Sequence, residues 1–170
     1  MNFRTMTVTL LGCAFLAASV PLQGADRGPS TPEERQQILG LIHDWQANPL
    51  GPNAKDEFGQ VLKFFADVPD LTVHVCTILD NLPKGDKKDG ATIFGGEFMG
   101  QAAFVLENPD KKNDELAEYQ AGVEGALRVY DLLLKGNQKD REPYLDDLIQ
   151  RREAGTLSQF TRERATSCTK

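Results

Sequence analysis

Small residues recur at helical spacing in two consecutive stretches of this chain, and they constrain its fold more than any other feature. The stretches are FGGEFMGQAAF, residues 94–104, and LAEYQAGVEGAL, residues 116–127. One side of each predicted helix carries a strip of small residues: Gly96, Gly100 and Ala103 in the first and Ala117, Ala121 and Gly125 in the second. A glycine inside a helix costs about 1 kcal/mol relative to alanine, so such strips need a packing reason. The short turn NPDKKND between them predicts an antiparallel helix pair with closely approaching backbones.

Two other interpretations of these glycines fit the residues less well. A phosphate-binding loop requires a preceding strand and a Lys followed by Ser or Thr at the start of the helix, and the sequence has neither. A membrane-spanning helix is disfavoured by Glu97 and Gln101, which interrupt a short segment. Helix packing is therefore the prediction, with a hinge or a ligand site as the alternatives.

Helix start and stop signals recur along the rest of the chain. A capping box with proline at the first helical position begins at Thr31, and the run NPLGPN from Asn48 ends that helix. The next helix is predicted to turn these apolar residues inward: Phe58, Val61, Leu62, Phe65 and Val68. Further helices are predicted at about 113–135 and 143–154, and a capping box at 156–159 begins a last one. The sequence thus predicts an all-α fold, a compact bundle or short array of about six or seven helices in antiparallel pairs.

The segment DLTVHVCTILDNLP, residues 70–83, carries two patterns at once. The alternation of Val73, Val75 and Thr77 is typical of a strand. A helical stripe includes more of the apolar residues, namely Leu71, Val75, Ile78, Leu79 and Leu82. Because Asp70 could also serve as the N-cap, the sequence favours a helix here.

The first 25 residues have the pattern of a secretory signal peptide. Arg4 precedes an uncharged apolar run, and small residues lead to a cleavage site after Ala25. Cleavage after Ser19, lipidation at Cys13 in LLGC, or retention as a short membrane anchor are the alternatives. Removal of residues 1–25 leaves residues 26–170 as a single exported domain, periplasmic or secreted.

Two cysteines, Cys76 and Cys168, remain after signal cleavage, in a compartment that permits disulfides. We predict that they are bridged, which would tie the C-terminal tail to the core. The alternative is a buried apolar Cys76 and a free Cys168 thiol. Without a CxxC motif or a His/Cys cluster, neither a metal nor a cofactor is predicted.

The candidates for chemistry are few. His43 and His74 each have a carboxylate near in sequence, since Asp44 follows the first and Asp70 precedes the second by four residues. Glu97 is flanked by apolar residues on both sides and would need a partner, such as His74 or an arginine, if it were buried. No nucleophile motif is present, and no catalytic residue is assigned.

The formal net charge of −6 disfavours nucleic acid or an anionic membrane surface as a partner. The expected function is non-enzymatic: an exported protein that binds another protein or a peptide in a groove between helices. A basic partner would suit the acidity, and an inhibitor or immunity role against a toxin or hydrolase belongs to this class. The alternatives are a small helical hydrolase or lyase that uses His43 or His74, an envelope structural protein, and a small-ligand carrier.

Overall fold

The structure is a computed structural model that describes residues 27–79, 88–111, 113–137 and 141–168. Within these ranges the chain forms six α-helices and no strand, which confirms the predicted all-α fold. In chain order the helices are α1 (Pro32–Ala47), α2 (Ala54–Asp67), α3 (Lys88–Glu107), α4 (Glu115–Gly136), α5 (Pro143–Glu153) and α6 (Leu157–Ala165). Single 3₁₀ turns at Thr77–Leu79 and Pro109–Lys111 precede α3 and α4.

The predicted signal peptide, residues 1–25, lies outside the described residues, and so do the alternatives at Ser19 and Cys13. The prediction of export and of a domain at 26–170 therefore stays a prediction. None of the described helices is long and apolar enough to cross a membrane.

Helices α3 and α4 make the most extensive helix contact in the fold, and glycines make it possible. Gly100 faces the backbone carbonyl of Ala121 so closely that a Cβ atom would collide with it. Gly125 faces the carbonyl of Gly96 in the same way. The predicted close approach of the small-residue strips is confirmed, because any larger side chain at these positions would push the backbones apart.

Helix α1 begins at the predicted capping box. The Thr31 hydroxyl accepts a hydrogen bond from the Glu34 amide at 3.2 Å, and the Glu34 carboxylate accepts one from the Thr31 amide at 2.8 Å. The second predicted capping box is wrong: the Thr156 hydroxyl makes no cap bond and instead donates to the Arg151 carbonyl at 3.4 Å. Helix α6 nevertheless begins at Leu157, which is buried.

The aromatic side chains of α1, α2 and α3 meet in a row. Trp45 lies 6.3 Å from Phe58, and Phe98 lies 5.6 Å from Phe58 and 6.2 Å from Phe65, measured between ring centroids. The prediction that Leu62 points inward is wrong, since its side chain is 48% exposed. The inward arc of α2 instead runs through Val61 and Phe64, which are both buried.

The helix predicted at residues 70–82 is wrong over its described part. Residues 71–76 have no helical turn and no bend, and only the 3₁₀ turn at Thr77–Leu79 follows. Asp70 does not cap a helix, because its carboxylate accepts hydrogen bonds from the Ser30 amide, at 2.8 Å, and from the side chains of Ser30 and Arg35. The β-branched residues of the segment disfavour a helix as well, so tertiary contacts decide in favour of an extended course.

The predicted disulfide between Cys76 and Cys168 is present, with the two Cα atoms 5.6 Å apart. It joins the end of the extended segment to the residues that follow α6. The hydroxyl of Tyr144 in α5 supports the same region by donating to the Ile78 carbonyl at 2.8 Å. The extended segment is thus anchored to the C-terminal helices at one end.

Candidate functional site

Three polar side chains of α3 and α4 are buried next to the extended segment. Glu97 is 3% exposed, Gln101 is 1% exposed and Glu118 is 2% exposed. A Cβ atom on Gly122 would lie 2.8 Å from Gln101 Cγ and 3.2 Å from Glu97 Cγ, so both side chains cross the space that this glycine leaves open. With His74, these residues form what we call the Gly122 cluster.

His74 is the residue through which the extended segment is fixed. Its backbone amide donates to Glu118 Oε1 at 2.6 Å, and its ring Nδ1 lies 2.9 Å from Glu118 Oε2. Its carbonyl accepts from Gln101 Nε2 at 3.0 Å. The predicted pairing of His74 with Asp70 on one helix face is therefore wrong, since the segment is not helical and the buried carboxylate comes from α4.

Glu97 lies in the Gly122 cluster without a hydrogen bond or ion pair to any described residue, so the partner expected from sequence is not found there. Burial raises the pKa of this carboxyl from 4.5 to about 7. Gln101 Oε1 is also buried without a hydrogen-bond partner in the part of the chain that the structure describes. Burial likewise raises the pKa of Glu118, against the opposing effect of the hydrogen bonds from His74.

A buried carboxylate that orients an imidazole is the arrangement that positions a general base. Here the other ring nitrogen, Nε2, lies 4.0 Å from a carboxylate oxygen of Glu115. Among the described residues, no hydroxyl or thiol is hydrogen-bonded to the His74 ring. The interaction between Glu118 and His74 holds the extended segment in place, and none of the described residues places a nucleophile at the His74 ring.

The other sequence candidate, His43, lies elsewhere. Its ring Nε2 is 3.2 Å from Glu107 Oε1, and both side chains are about half exposed. Across the described ranges, no group of three or more His, Cys, Asp or Glu side chains could hold a metal ion. The structure therefore brings His74 and Glu97 into one cluster and leaves His43 outside it.

An apolar seam between α2 and α3 is the second candidate site. Their backbones stay apart and the Phe58–Phe98 ring contact bridges them, with a cavity on either side. The first, of about 330 Å³, is lined by Trp45, Pro49, Ala54, Lys55, Phe58, Ala91, Thr92 and Gly95. The second, of about 340 Å³, is lined by Leu62, Phe65, Ala66, Val68, Pro69, Leu71, Thr72, Val73 and Phe98. We call these the upper and lower grooves of the seam.

Four large apolar side chains remain exposed in the described structure, and one of them lies on this seam. The four are Leu50, Leu62, Val75 and Phe94, which are 47–62% exposed. Leu62 lines the lower groove, and each of the other three is within two residues of a groove-lining residue in sequence. An apolar seam flanked by exposed apolar side chains is typical of a surface that binds another molecule.

Sequence reasoning found Glu97 and His74 but missed Glu118, Gln101 and the seam. One signal was available: Gln101 follows Glu97 by four residues, and Glu118 precedes Gly122 by four, so each polar residue lies beside the small-residue strip. The seam had no such signal, because it depends on how far apart α2 and α3 lie.

The chain matches no protein-family model, and neither the curated proteins nor the solved structures compared with it show a significant similarity.

Proposed function

We propose that this chain is an exported protein that binds another protein or a peptide along the α2–α3 seam. One observation carries the proposal: in the described structure, the seam has two apolar grooves, and the half-exposed Leu62 lines one of them. The other exposed large apolar residues are each within two residues of a groove-lining residue in sequence. Burial of such surfaces against a partner is favourable by about 25 cal/mol per Å² of apolar area. Export is supported by the signal pattern of residues 1–25 and by the disulfide between Cys76 and Cys168, which suits an oxidising compartment.

The acidity of the chain supports a basic partner. The formal net charge is −6, and complementary charge speeds the encounter of two proteins and disfavours wrong partners. An inhibitor or immunity role against a basic toxin or hydrolase is consistent with this chemistry. In such a role, the toxin or hydrolase would bind at the seam and not at the Gly122 cluster.

Affinity capture from an envelope or culture extract tests the proposal, with Leu62→Lys as the matched variant. Leu62 is half exposed on the lower groove, so the substitution places a charge on the groove without opening the core. Gln159→Lys on α6, a side chain exposed far from the seam in sequence, serves as the control. We expect one protein to be retained at physiological salt by the wild type and by Gln159→Lys, and lost with Leu62→Lys. Equal retention by all three proteins, or by none, would contradict the proposal.

A further inference from the structure

The backbone of the extended segment has hydrogen-bonding groups that no other described residue uses. In an extended strand, the amide and carbonyl of one residue point to one edge, and those of its two neighbours point to the other. Both backbone groups of His74 point inward, to Glu118 and Gln101. Those of Val73 and Val75 therefore point outward, and neither residue makes a backbone hydrogen bond within the described structure.

Side chains around this edge suit a pairing strand. Residues 71–76 run without turn or bend, and the sequence LTVHVC is rich in β-branched residues. Val75 is 57% exposed, and Thr72 is exposed as well. An apolar edge without turn or bend, and unpaired with any other described residue, is a template on which another chain can add a strand.

The edge is held at two positions, His74 and Cys76. Glu118 binds the amide and ring of His74, Gln101 binds its carbonyl, and the disulfide of Cys76 fixes the end of the segment. A partner would therefore not have to order the edge, which lowers the entropic cost of binding. The buried polar groups of the Gly122 cluster therefore position residues 71–76 for binding.

The lower groove and the local charge indicate which kind of partner segment would pair with residues 71–76. Leu71, Thr72 and Val73 line the groove, so an apolar side chain of an added strand has a cavity beside it. Among the described residues, the half-exposed carboxylate of Glu115 lies 4.0 Å from His74 Nε2 and can face a bound segment. This carboxylate and the net charge of −6 complement a cationic segment.

We infer that residues 71–76 bind an extended segment of a basic partner, in which apolar residues alternate with Lys or Arg, by adding it as a β-strand. This inference rests on the proposed function, since it assigns the binding mode and the partner chemistry of the same surface. About six residues of the partner would pair, over a length of about 20 Å.

Synthetic peptides test the inference on the full mature chain. The probe is a ten-residue peptide of alternating Lys and Val, together with two N-methylated forms, one methylated at every Val amide and the other at every Lys amide. Each form blocks the donors of one peptide edge. We expect the parent peptide to bind, and one of the two methylated forms to bind with the same affinity as the parent. The other methylated form should bind at least about tenfold more weakly, which corresponds to the loss of about one hydrogen bond. Glu in place of Lys should also weaken binding.

Variants of the protein give the reciprocal test. Val75→Pro removes the outward amide without breaking a hydrogen bond to any described residue, and we expect at least about tenfold weaker peptide binding. Val75→Thr keeps the amide and the branched shape, so its affinity should stay within about twofold of the wild type. Amide hydrogen exchange adds a readout of the backbone: the peptide should slow exchange at Val73 and Val75, and leave the already bonded amide of His74 unchanged.

Several results would overturn the inference. Equal binding of the parent and both methylated peptides, or unprotected Val73 and Val75 amides in the complex, would mean that side chains alone dock. A homodimer in which these two amides are protected before any peptide is added would assign the edge to a second copy. If the seam-dependent partner is captured but the Lys-Val peptide does not bind, strand addition fails and the proposed function stands. If the peptide binds but no seam-dependent partner is captured, the proposed function fails instead.

Discussion

Glu97 has a buried carboxyl group with no hydrogen bond to any described residue. Its carboxyl is buried beside Gln101 and Gly122, and burial raises its pKa to about 7. Because the folded pKa lies above the unfolded value of 4.5, this group stabilises the fold fully below pH 4.5, and the contribution is lost as the pH rises through 7. Burial also raises the pKa of Glu118, so both buried carboxyl groups of the Gly122 cluster contribute more stability at acidic pH than at neutral pH.

Glu97→Gln should therefore change the pH dependence of stability. At pH 8 we expect the variant to be more stable than the wild type by up to about 3 kcal/mol, since one pKa unit corresponds to about 1.4 kcal/mol. At pH 4 the two proteins should differ by less than about 1 kcal/mol. Urea unfolding at both pH values measures this, with Glu153→Gln on the exposed end of α5 as the control. A variant less stable than the wild type at pH 8 would show that the carboxylate has a partner that it needs.

The chemistry of single residues was partly predictable from sequence. Glu97 could be singled out because apolar neighbours on both sides mark a buried position in a helix. Glu118 could not, because its burial depends on an extended segment that crosses α4 from outside the helix. When the burial of a residue depends on a partner remote in sequence, the residues next to it in sequence do not indicate that burial.

At the scale of elements, glycine decides how α3 and α4 meet. Gly100→Ala should lower the free energy of unfolding by about 1–3 kcal/mol, because the added Cβ collides with the Ala121 carbonyl. Gly59 in α2 is a matched control, since a Cβ atom there would have no neighbouring atom within 4 Å, and alanine should stabilise by about 0.5–1 kcal/mol. Thermal unfolding of both variants measures the difference. Equal melting temperatures would refute the close-packing account.

Sequence patterns predicted one of two elements near the centre of the fold and failed for the other. The antiparallel α3–α4 pair could be predicted, because its small residues are close in sequence and the turn between them is short. The segment at 71–76 could not, because a helical stripe and a strand-like alternation coexist in it. Contacts between residues remote in sequence determine which of the two conformations forms. They join Asp70 to Ser30 and Arg35, and His74 to Glu118.

For the whole molecule, the disulfide ties the extended segment to the C-terminus. Its two cysteines are 92 residues apart, and closing a loop of that length stabilises a fold by about 4–5 kcal/mol in the chain-entropy model. Cys168→Ser should therefore lower the urea midpoint strongly. A reducing agent should do the same to the wild type and have no further effect on the variant. A midpoint that is insensitive to both changes would contradict a stabilising bridge.

We propose that the α2–α3 seam and the adjoining edge together form one binding surface. Hydrogen–deuterium exchange of the mature protein, alone and bound to the partner that it captures, tests this proposal. We predict that slowed exchange concentrates in residues 45–76 and 91–98, which hold the grooves and the extended edge. Slowed exchange confined to α5 and α6, or no change on binding, would contradict it.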